Sequence, residues 1–159
     1  MITIQPLKNK HIPELWEIIQ SYPDYFNDSV KMETIADFKD WLKRDVIDCL
    51  VGIKDNEVIG CGYINSMHNN LAEINIFVKR KSIVLKGIIP VLGLCLHDLV
   101  TKHSLKMIYA VVRVDNRASI RLMKAVGFKI VDTLKNYEQV KGKDYDCLLG
   151  IIMAEGVAI

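Results

Sequence analysis

Glu73 is a residue whose type and position suit acid–base chemistry. It lies within LAEINIFV, the stretch Leu71–Val78, whose alternation of apolar and polar residues predicts a β-strand. Glu73 then shares one face of that strand with Asn75 and Phe77. A carboxylate beside apolar residues has a raised pKa, which suits a general base. The competing interpretation is a strand-end Glu that faces water.

The segment VRVDNRASIRLMKAVGFKIV, residues 112–131, combines a strand, a helix cap and a helix terminator. Its β-branched start predicts a buried strand, after which Asp115 or Asn116 caps a helix of about two and a half turns. Gly127 suits the left-handed position that ends a helix, and Phe128 suits the apolar contact that follows. Because this order is common in α/β proteins, alone it indicates a fold rather than a function.

Composition and charge exclude several classes of protein. The chain has 159 residues, of which 50% are hydrophobic and 25% are charged, as expected for one globular domain over residues 1–159. The net charge of +2 gives no reason to expect nucleic acid or an anionic membrane as a partner. The N-terminus lacks the layout of a signal peptide, and no apolar run reaches the ~18 residues of a membrane span.

The cysteines and histidines predict neither disulfides nor a metal site. Each cysteine lies in an apolar run and none forms a C-x-x-C pair, which indicates buried, reduced thiols. These cysteines are Cys49, Cys61, Cys95 and Cys147. The four histidines lack the spacing of zinc ligands. Reduced thiols favour the cytoplasm as the compartment.

The remaining patterns predict the element order β-α-α-β-β-β-α-β-α-β-β. Strands are expected at residues 1–7, 49–54, 58–65, 71–78, 107–114, 129–137 and 145–153, and helices from Pro13 to about Ser21, from Thr34, at residues 87–103 and after Asn116. The long apolar helix between two strands implies a right-handed parallel crossover, whereas the hairpins imply antiparallel pairing. The predicted fold class is therefore α/β (α+β), a single mixed sheet with helices on both faces.

This order, together with the pattern N-x-A-S-I-x-L-x-x-x-x-G-F, resembles the GNAT superfamily of acyl-CoA N-acyltransferases. The residues that carry the resemblance are Asn116, Ala118, Ser119, Ile120, Leu122, Gly127 and Phe128. The topology agrees over nearly the whole chain, but the sequence agreement is sharp only across residues 116–128. The resemblance implies a mostly antiparallel sheet with a central, splayed parallel strand pair. It also implies acetyl-CoA as cosubstrate, bound near the Asn116 end of the helix, and an amine as acceptor.

The loop that binds the CoA pyrophosphate in this family departs from the family pattern. Family members carry Arg/Gln-x-x-Gly-x-Gly/Ala, but residues 79–88 read KRKSIVLKGI, with Gly87 one residue out of register. Either a slipped loop still binds phosphate through its cations and the helix N-terminus, or the site is lost and the loop is merely solvated. The side chain of Ile88 is a steric objection to the first hypothesis. The candidate cofactor-binding residues are Phe77, Val78, Arg80, Lys81, Lys86, Gly87, Ile88, Asn116 and Ser119.

The resemblance also assigns catalytic roles. It implies that Glu73 removes a proton from the amine, often through water. Many family members carry a Tyr after the Leu of the Asn-helix as the acid for the leaving thiolate, but Met123 stands there and donates no proton. Tyr109, Tyr137 and Tyr145 are possible replacements, although each also suits a packing role. Glu73 and Tyr137 are taken as the candidate catalytic pair.

Residues 22–32, YPDYFNDSVKM, have no clear period and carry three aromatic residues. In the resembling family this region helps to shape the acceptor site. Tyr22, Tyr25 and Phe26 therefore either line that site or pin the segment to the core.

Three functions remain open. The first is an N-acetyltransferase that uses acetyl-CoA on a small-molecule amine, a protein N-terminus or a lysine. The second is a non-catalytic GNAT-like assembly or binding protein, such as a phage head-assembly or internal virion protein. The third is a sensor that binds a CoA thioester without turnover. An enzyme should keep an open cleft between the splayed strands, whereas an assembly protein should fill it and expose an apolar patch. Pairing through the final hairpin would make a homodimer.

Overall fold

The computed structural model describes residues 1–83 and 87–157, which form a seven-stranded mixed sheet flanked by α-helices. In chain order the elements are β1 (Ile2–Pro6), α1 (Ile12–Gln20), α2 (Ile35–Asp45), β2 (Asp48–Lys54), β3 (Glu57–His68), β4 (Leu71–Val78), α3 (Ile88–Lys102), β5 (Met107–Arg113), α4 (Arg117–Ala125), β6 (Lys129–Val140) and β7 (Lys143–Met153). The predicted order of strands and α-helices is confirmed.

The sheet has the strand order β1-β2-β3-β4-β5-β7-β6, and its one parallel pair is β4 with β5. Helix α3 supplies the crossover between these two strands. Their pairing covers three positions, from Leu71 opposite Met107 to Glu73 opposite Tyr109, although both strands continue further. The two strands therefore diverge after Glu73, which confirms the predicted splayed pair.

Helices cover both faces of the sheet. On one face Leu96 and Leu99 of α3 pack against Ile74 of β4, and on the other Leu15 of α1 and Phe38 of α2 are fully buried. Phe77 belongs to the cluster on the α1–α2 face, whereas Ile74 belongs to the α3 face. Because side chains alternate along a strand, Glu73 lies on the α1–α2 face together with Phe77, the neighbour predicted to share its face.

Local signals in the sequence account for the helix ends. The Thr34 Oγ1 atom accepts the Asp37 N–H at 3.2 Å, and the Asp37 carboxylate accepts the Thr34 N–H at 2.7 Å, so α2 begins with the expected capping box. Asn116 caps α4 by accepting the Ser119 N–H at 3.1 Å. Gly127 follows α4 at φ +104°, the left-handed conformation predicted for it.

Strands β3 and β6 continue past their predicted ends, and each contains a bulge. Strand β3 continues to His68 through an irregularity between Ile64 and Ser66, and β6 continues to Val140 through one between Leu134 and Glu138. An extra residue on one strand interrupts the alternation that marks a strand in sequence. Both bulges lie beside the candidate site.

The cysteines and the helix lengths complete the description. All four cysteines are buried and unpaired, in agreement with the prediction of buried thiols. Across residues 1–83 and 87–157, no helix has the length and apolar character to span a bilayer. The same residues contain no cluster of three metal-ligating side chains.

Candidate active site

Glu73 lies at the apex of the splay, where it is the last residue of β4 that pairs with β5. Ser66 of β3 is its partner on the other side, and Tyr109 of β5 is directly opposite. The side chain is half-buried, and this burial raises the pKa of Glu73, while interactions with Asn75 and Tyr109 partly offset the rise. A carboxylate with a raised pKa and a solvent-facing side is suited to accept a proton near neutral pH.

Tyr109 is the immediate partner of this carboxylate. Burial raises the pKa of Tyr109, and the charge of Glu73 raises it further. The Tyr109 side chain also interacts with Ser66 of β3, the strand on the other side of β4. The phenol therefore reaches across β4. At neutral pH this phenol stays protonated, which allows it to donate to the Glu73 carboxylate.

Tyr137 lies in the bulge of β6 between Leu134 and Glu138, within electrostatic range of Glu73. Asn136 adopts φ +47°, and its N–H donates to Asp146 Oδ1 at 2.9 Å, while the Lys135 ammonium contacts Asp146 Oδ2 at 2.8 Å. Burial and then the charge of Glu73 raise the pKa of Tyr137, although 54% of the residue is exposed. Tyr137 thus lies within the bulge, and its phenol stays protonated at neutral pH within electrostatic range of Glu73.

Glu138 and Arg113 add charge to this cluster. Burial raises the pKa of Glu138, the Arg113 guanidinium lowers it, and the Glu73 carboxylate raises it again. Arg113 itself contacts Asp115 at 3.1 Å and lies 4.5 Å above the ring of Tyr145. Tyr145 thus packs against a guanidinium. Of the three candidate tyrosines, Tyr109 interacts directly with Glu73, and Tyr137 is near enough for the charge of Glu73 to raise its pKa.

The aromatic residues of segment 22–32 pin it to the core. The Tyr22 hydroxyl donates to the Val78 carbonyl at 2.5 Å, and the Tyr25 and Tyr63 hydroxyls are 3.0 Å apart. The ring of Tyr25 also meets Phe77 edge-on, with centroids 5.3 Å apart. Burial raises the pKa of Tyr63, and the charge of Glu73 contributes to that rise. The aromatic cluster around Tyr63 is therefore within electrostatic range of Glu73.

The basic residues after β4 are only partly available to an anion. Arg80 lies 4.7 Å above the ring of Tyr22 and donates from Nη2 to the Ser21 carbonyl at 3.1 Å. Lys79 contacts Glu57 at 3.3 Å, and Lys81 is exposed. Lys86 lies outside the described residues.

The N-terminus of α3 keeps the features of an anion site. Gly87 precedes the helix at φ +92°, and within the described part of the chain no side chain caps this end. The Ile88 side chain is 5% exposed and packs in a cluster with Val78 and Leu92, so it turns into the core rather than over the helix end. The steric objection to Ile88 is thereby removed, although Pro90 in the first turn lacks an N–H.

Helix α4 carries the residues of the Asn motif. Leu122, in its second half, packs against the cluster that contains Ile88, so this part of α4 lies near the start of α3. Asn116 and Ser119 bond to each other in the N-cap of α4. Met123 is 5% exposed and packs where Gly150 leaves room, since a Cβ there would lie 2.7 Å from its sulfur. Met123 is therefore a core residue.

Sequence reasoning did not single out Ser66, Arg113 or Glu138. Ser66 and Glu138 follow bulges, and a bulge leaves no local pattern because it depends on the partner strand. Arg113 did leave a signal, since it is the last residue of β5, three residues before the Asn116 cap of α4.

Comparison with known proteins agrees with this geometry. A family model described as "Acetyltransferase (GNAT) domain" matches residues 9–149, whereas a search of curated protein sequences found no match. The ribosomal-protein-alanine N-acetyltransferase from Brucella melitensis has a TM-score of 0.79 and 18% identity, with 95% of this chain and 99% of that chain covered. The spermidine N-acetyltransferase from Vibrio cholerae in complex with CoA and spermine has a TM-score of 0.80 and 16% identity, with 98% and 97% covered. Matched by the family model over most of its length, the chain belongs to the GNAT acetyltransferase family.

Proposed function

We propose that the protein transfers an acetyl group from acetyl-CoA to an amine. The observation that carries this proposal is the pairing of Glu73 with Tyr109 at the point where β4 and β5 separate. Tyr137 of β6 lies within electrostatic range, since the charge of Glu73 raises its pKa. A half-buried carboxylate beside a protonated phenol is more than a packed core requires, because burial of its charge is unfavourable.

The splay between β4 and β5 and the N-terminus of α3 suit the binding of acetyl-CoA. Beyond Glu73 the edge of β4 that faces β5 has no strand partner in the described residues, so its backbone groups are open to the amides of a pantetheine arm. The N-terminus of α3 and the exposed Lys81 suit a pyrophosphate, and Lys86 is proposed to assist. Phe77, Val78 and Ile88 contribute backbone rather than side chains, because their side chains are buried.

The proposed reaction uses two side chains and the backbone of β4. Glu73 takes a proton from the acceptor ammonium, directly or through water, and the neutral amine attacks the thioester carbonyl carbon. The new C–N bond forms as the C–S bond breaks, while a β4 N–H stabilises the charge that develops on the oxygen. Tyr137 donates its proton to the leaving CoA thiolate, which replaces the role of the family Tyr at Met123, and the proton that the amide nitrogen loses passes through water to restore the phenol. The buried thiols favour a cytoplasmic location for this chemistry.

The first test combines binding with turnover. Acetyl-CoA binding is measured by calorimetry, and thiol release is followed with spermidine, alanine amide and a lysine peptide as acceptors. Wild-type protein is expected to bind at micromolar concentration. Glu73→Gln is expected to slow transfer by at least about 100-fold without weakening acetyl-CoA binding, because proton transfer of this kind supplies that much rate. Glu17→Gln, an exposed residue of α1, is the matched control.

The possible outcomes separate the three functions. Transfer that depends on Glu73 supports the enzyme, and a larger loss in Tyr137→Phe than in Tyr109→Phe supports Tyr137 as the acid. Binding of acetyl-CoA without transfer to any amine would support a sensor instead. A folded protein that gives no heat at millimolar acetyl-CoA would overturn both and favour an assembly protein.

A further inference from the structure

A groove of about 460 Å³, here named the α3 groove, lies between β1 and the second half of α3 and is open to solvent. Two of its wall residues, Ile4 and Leu50, pack in the hydrophobic cluster on the α3 face of the sheet. Glu73 lies on the α1–α2 face, so the sheet separates the groove from the candidate active site. The volume is within the range of roughly 300–1,000 Å³ that is typical of small-molecule sites.

One wall of the α3 groove is apolar. Pro6 of β1 pairs opposite Leu50 of β2, and Ile4 pairs opposite Gly52, so this wall is built from two neighbouring strands. Ile4 and Leu50 also border a smaller crevice of about 20 Å³, which continues beneath α3 between glycines and apolar side chains. The crevice has room for about one water molecule and is too small for a ligand, but its lining makes the inner end of the groove apolar.

The opposite wall is polar and comes from the last two turns of α3. His97 and Thr101 are four residues apart, as are Asp98 and Lys102, so the two pairs form adjacent rows along the helix. Gln5 of β1 adds an amide to the lining. A ligand that fits both walls therefore has an apolar body and a polar end.

The charge that remains uncompensated in the α3 groove is negative. Lys102 already pairs with Asp48, with 2.7 Å between Nζ and Oδ2, and Asp48 also contacts His103 Nε2 at 2.8 Å. Asp98 is exposed and forms no ion pair in the part of the chain that the structure describes. Because the C-terminal end of a helix adds negative potential, the polar wall favours a cation over an anion.

We infer that the α3 groove is a second ligand site, which binds a small organic cation with an apolar body, such as a primary amine that carries a phenyl group. In this arrangement the Asp98 carboxylate accepts from the ammonium, and Ile4, Pro6 and Leu50 contact the body. Burial of the body supplies the hydrophobic part of the affinity, and the charge-assisted hydrogen bond supplies the preference for a cation. The site does not depend on acetyl transfer, because its lining includes none of the proposed catalytic residues.

The test uses three probes of similar size that differ in charge. These are phenethylamine, which is a cation near neutral pH, 2-phenylethanol, which is neutral, and phenylacetate, which is an anion. Ethylamine is a fourth probe, because it keeps the ammonium and lacks the apolar body. Each is titrated without acetyl-CoA into the whole, isotope-labelled chain. Amide chemical shifts locate the binding, and their dependence on concentration gives Kd.

Phenethylamine is expected to bind with a Kd of about 1 mM or below and to shift the amides of residues 97–102. The other probes are expected to bind at least about tenfold more weakly, because each lacks either the positive charge or the body. Equal affinity for phenylacetate or 2-phenylethanol, or no shift of residues 97–102 at about 10 mM phenethylamine, overturns the inference.

Variants assign the binding to one face of the sheet. Asp98→Asn is expected to weaken phenethylamine binding by about tenfold or more, since the amide removes the charge at the same size. Asp40→Asn, at an exposed position of α2, is the matched control, and Glu73→Gln should also leave the Kd measured at residues 97–102 unchanged. Binding that Glu73→Gln abolishes, or that keeps its Kd in Asp98→Asn, contradicts a site in the α3 groove. The comparison of probes uses wild-type protein, so it decides the matter even where a variant fails to fold.

Discussion

The two ends of β4 differ in how their chemistry is built. At the Glu73 end the proposed catalytic side chains come from paired strands, so the sheet holds Glu73 opposite Tyr109. At the Val78 end the cations come from a loop, and Arg80 already stacks on Tyr22 and bonds to Ser21. Strand register fixes the positions of the side chains at the Glu73 end. At the Val78 end, the helix N-terminus of α3 and the nearby cations supply the groups that would attract an anion.

This difference follows from what each end is proposed to do. Proton transfer needs a donor and an acceptor within hydrogen-bond distance, and such geometry is best held by a sheet. Attraction of a pyrophosphate depends on charge and on backbone N–H groups, which several loop conformations supply. A loop that has lost its glycine pattern is therefore compatible with binding, whereas a displaced Glu73 is not compatible with catalysis.

The largest expected effect concerns how β3 holds the Val78 end of β4. A Cβ at Gly60 would lie 2.3 Å from the Phe77 carbonyl oxygen and 2.8 Å from the Val78 Cα. Because these are backbone atoms that cannot move aside cheaply, Gly60→Ala is expected to lower the free energy of unfolding by about 3 kcal/mol or more. Urea denaturation measures the loss.

Gly87→Ala is the matched control for this substitution. Gly87 also adopts a positive φ, but a Cβ there meets no described atom within 4 Å. Its cost should therefore be the backbone strain alone, about 1 kcal/mol. Equal losses in the two variants would mean that close approach of β3 does not hold this end of β4.

The next effect tests whether the missing acid at Met123 can be restored. Met123 packs against Gly150 and Phe128 in the core and not in the splay. Met123→Tyr is therefore expected to overpack the core, to lower stability by about 1–3 kcal/mol and to give no faster transfer. Thermal unfolding and the thiol-release assay measure both quantities. Lys124→Tyr, at an exposed neighbour, should leave stability within about 0.5 kcal/mol, and a faster Met123→Tyr enzyme would contradict the role proposed for Tyr137.

The two ends of β4 also differ in how far the sequence predicts them. The bounds Leu71–Val78, the face that carries Glu73 and the caps at Thr34 and Asn116 all follow from local patterns, and the structure confirms them. The electrostatic effect of Glu73 on Tyr137 does not follow from any local pattern. It depends on register across β4, β5, β7 and β6 and on a bulge between Leu134 and Glu138.

The surroundings of the site were harder to predict for a similar reason. Segment 22–32 has no period, since its contacts are to distant residues such as Val78, Gln139 and Gly142. The engagement of Arg80 by Tyr22 is likewise a contact between segments, which no spacing within residues 79–88 reveals. The sequence therefore predicts the elements and the candidate base, but not the contacts between distant segments that hold residues 22–32 and Arg80 in place.

The smallest expected effect is on stability and comes from Glu73 itself. Burial raises the pKa of this carboxyl in the folded protein above its value in the unfolded chain, so the folded state holds the proton more tightly. The contribution of Glu73 to stability therefore falls as pH rises from the unfolded pKa through the folded pKa. Glu73→Gln should then gain thermal stability relative to wild type at pH 8, and this advantage should shrink as pH falls toward 4 and Glu73 becomes protonated. An advantage that grows as pH falls would contradict the raised pKa, and it would leave this end of β4 without the base that distinguishes it from the other.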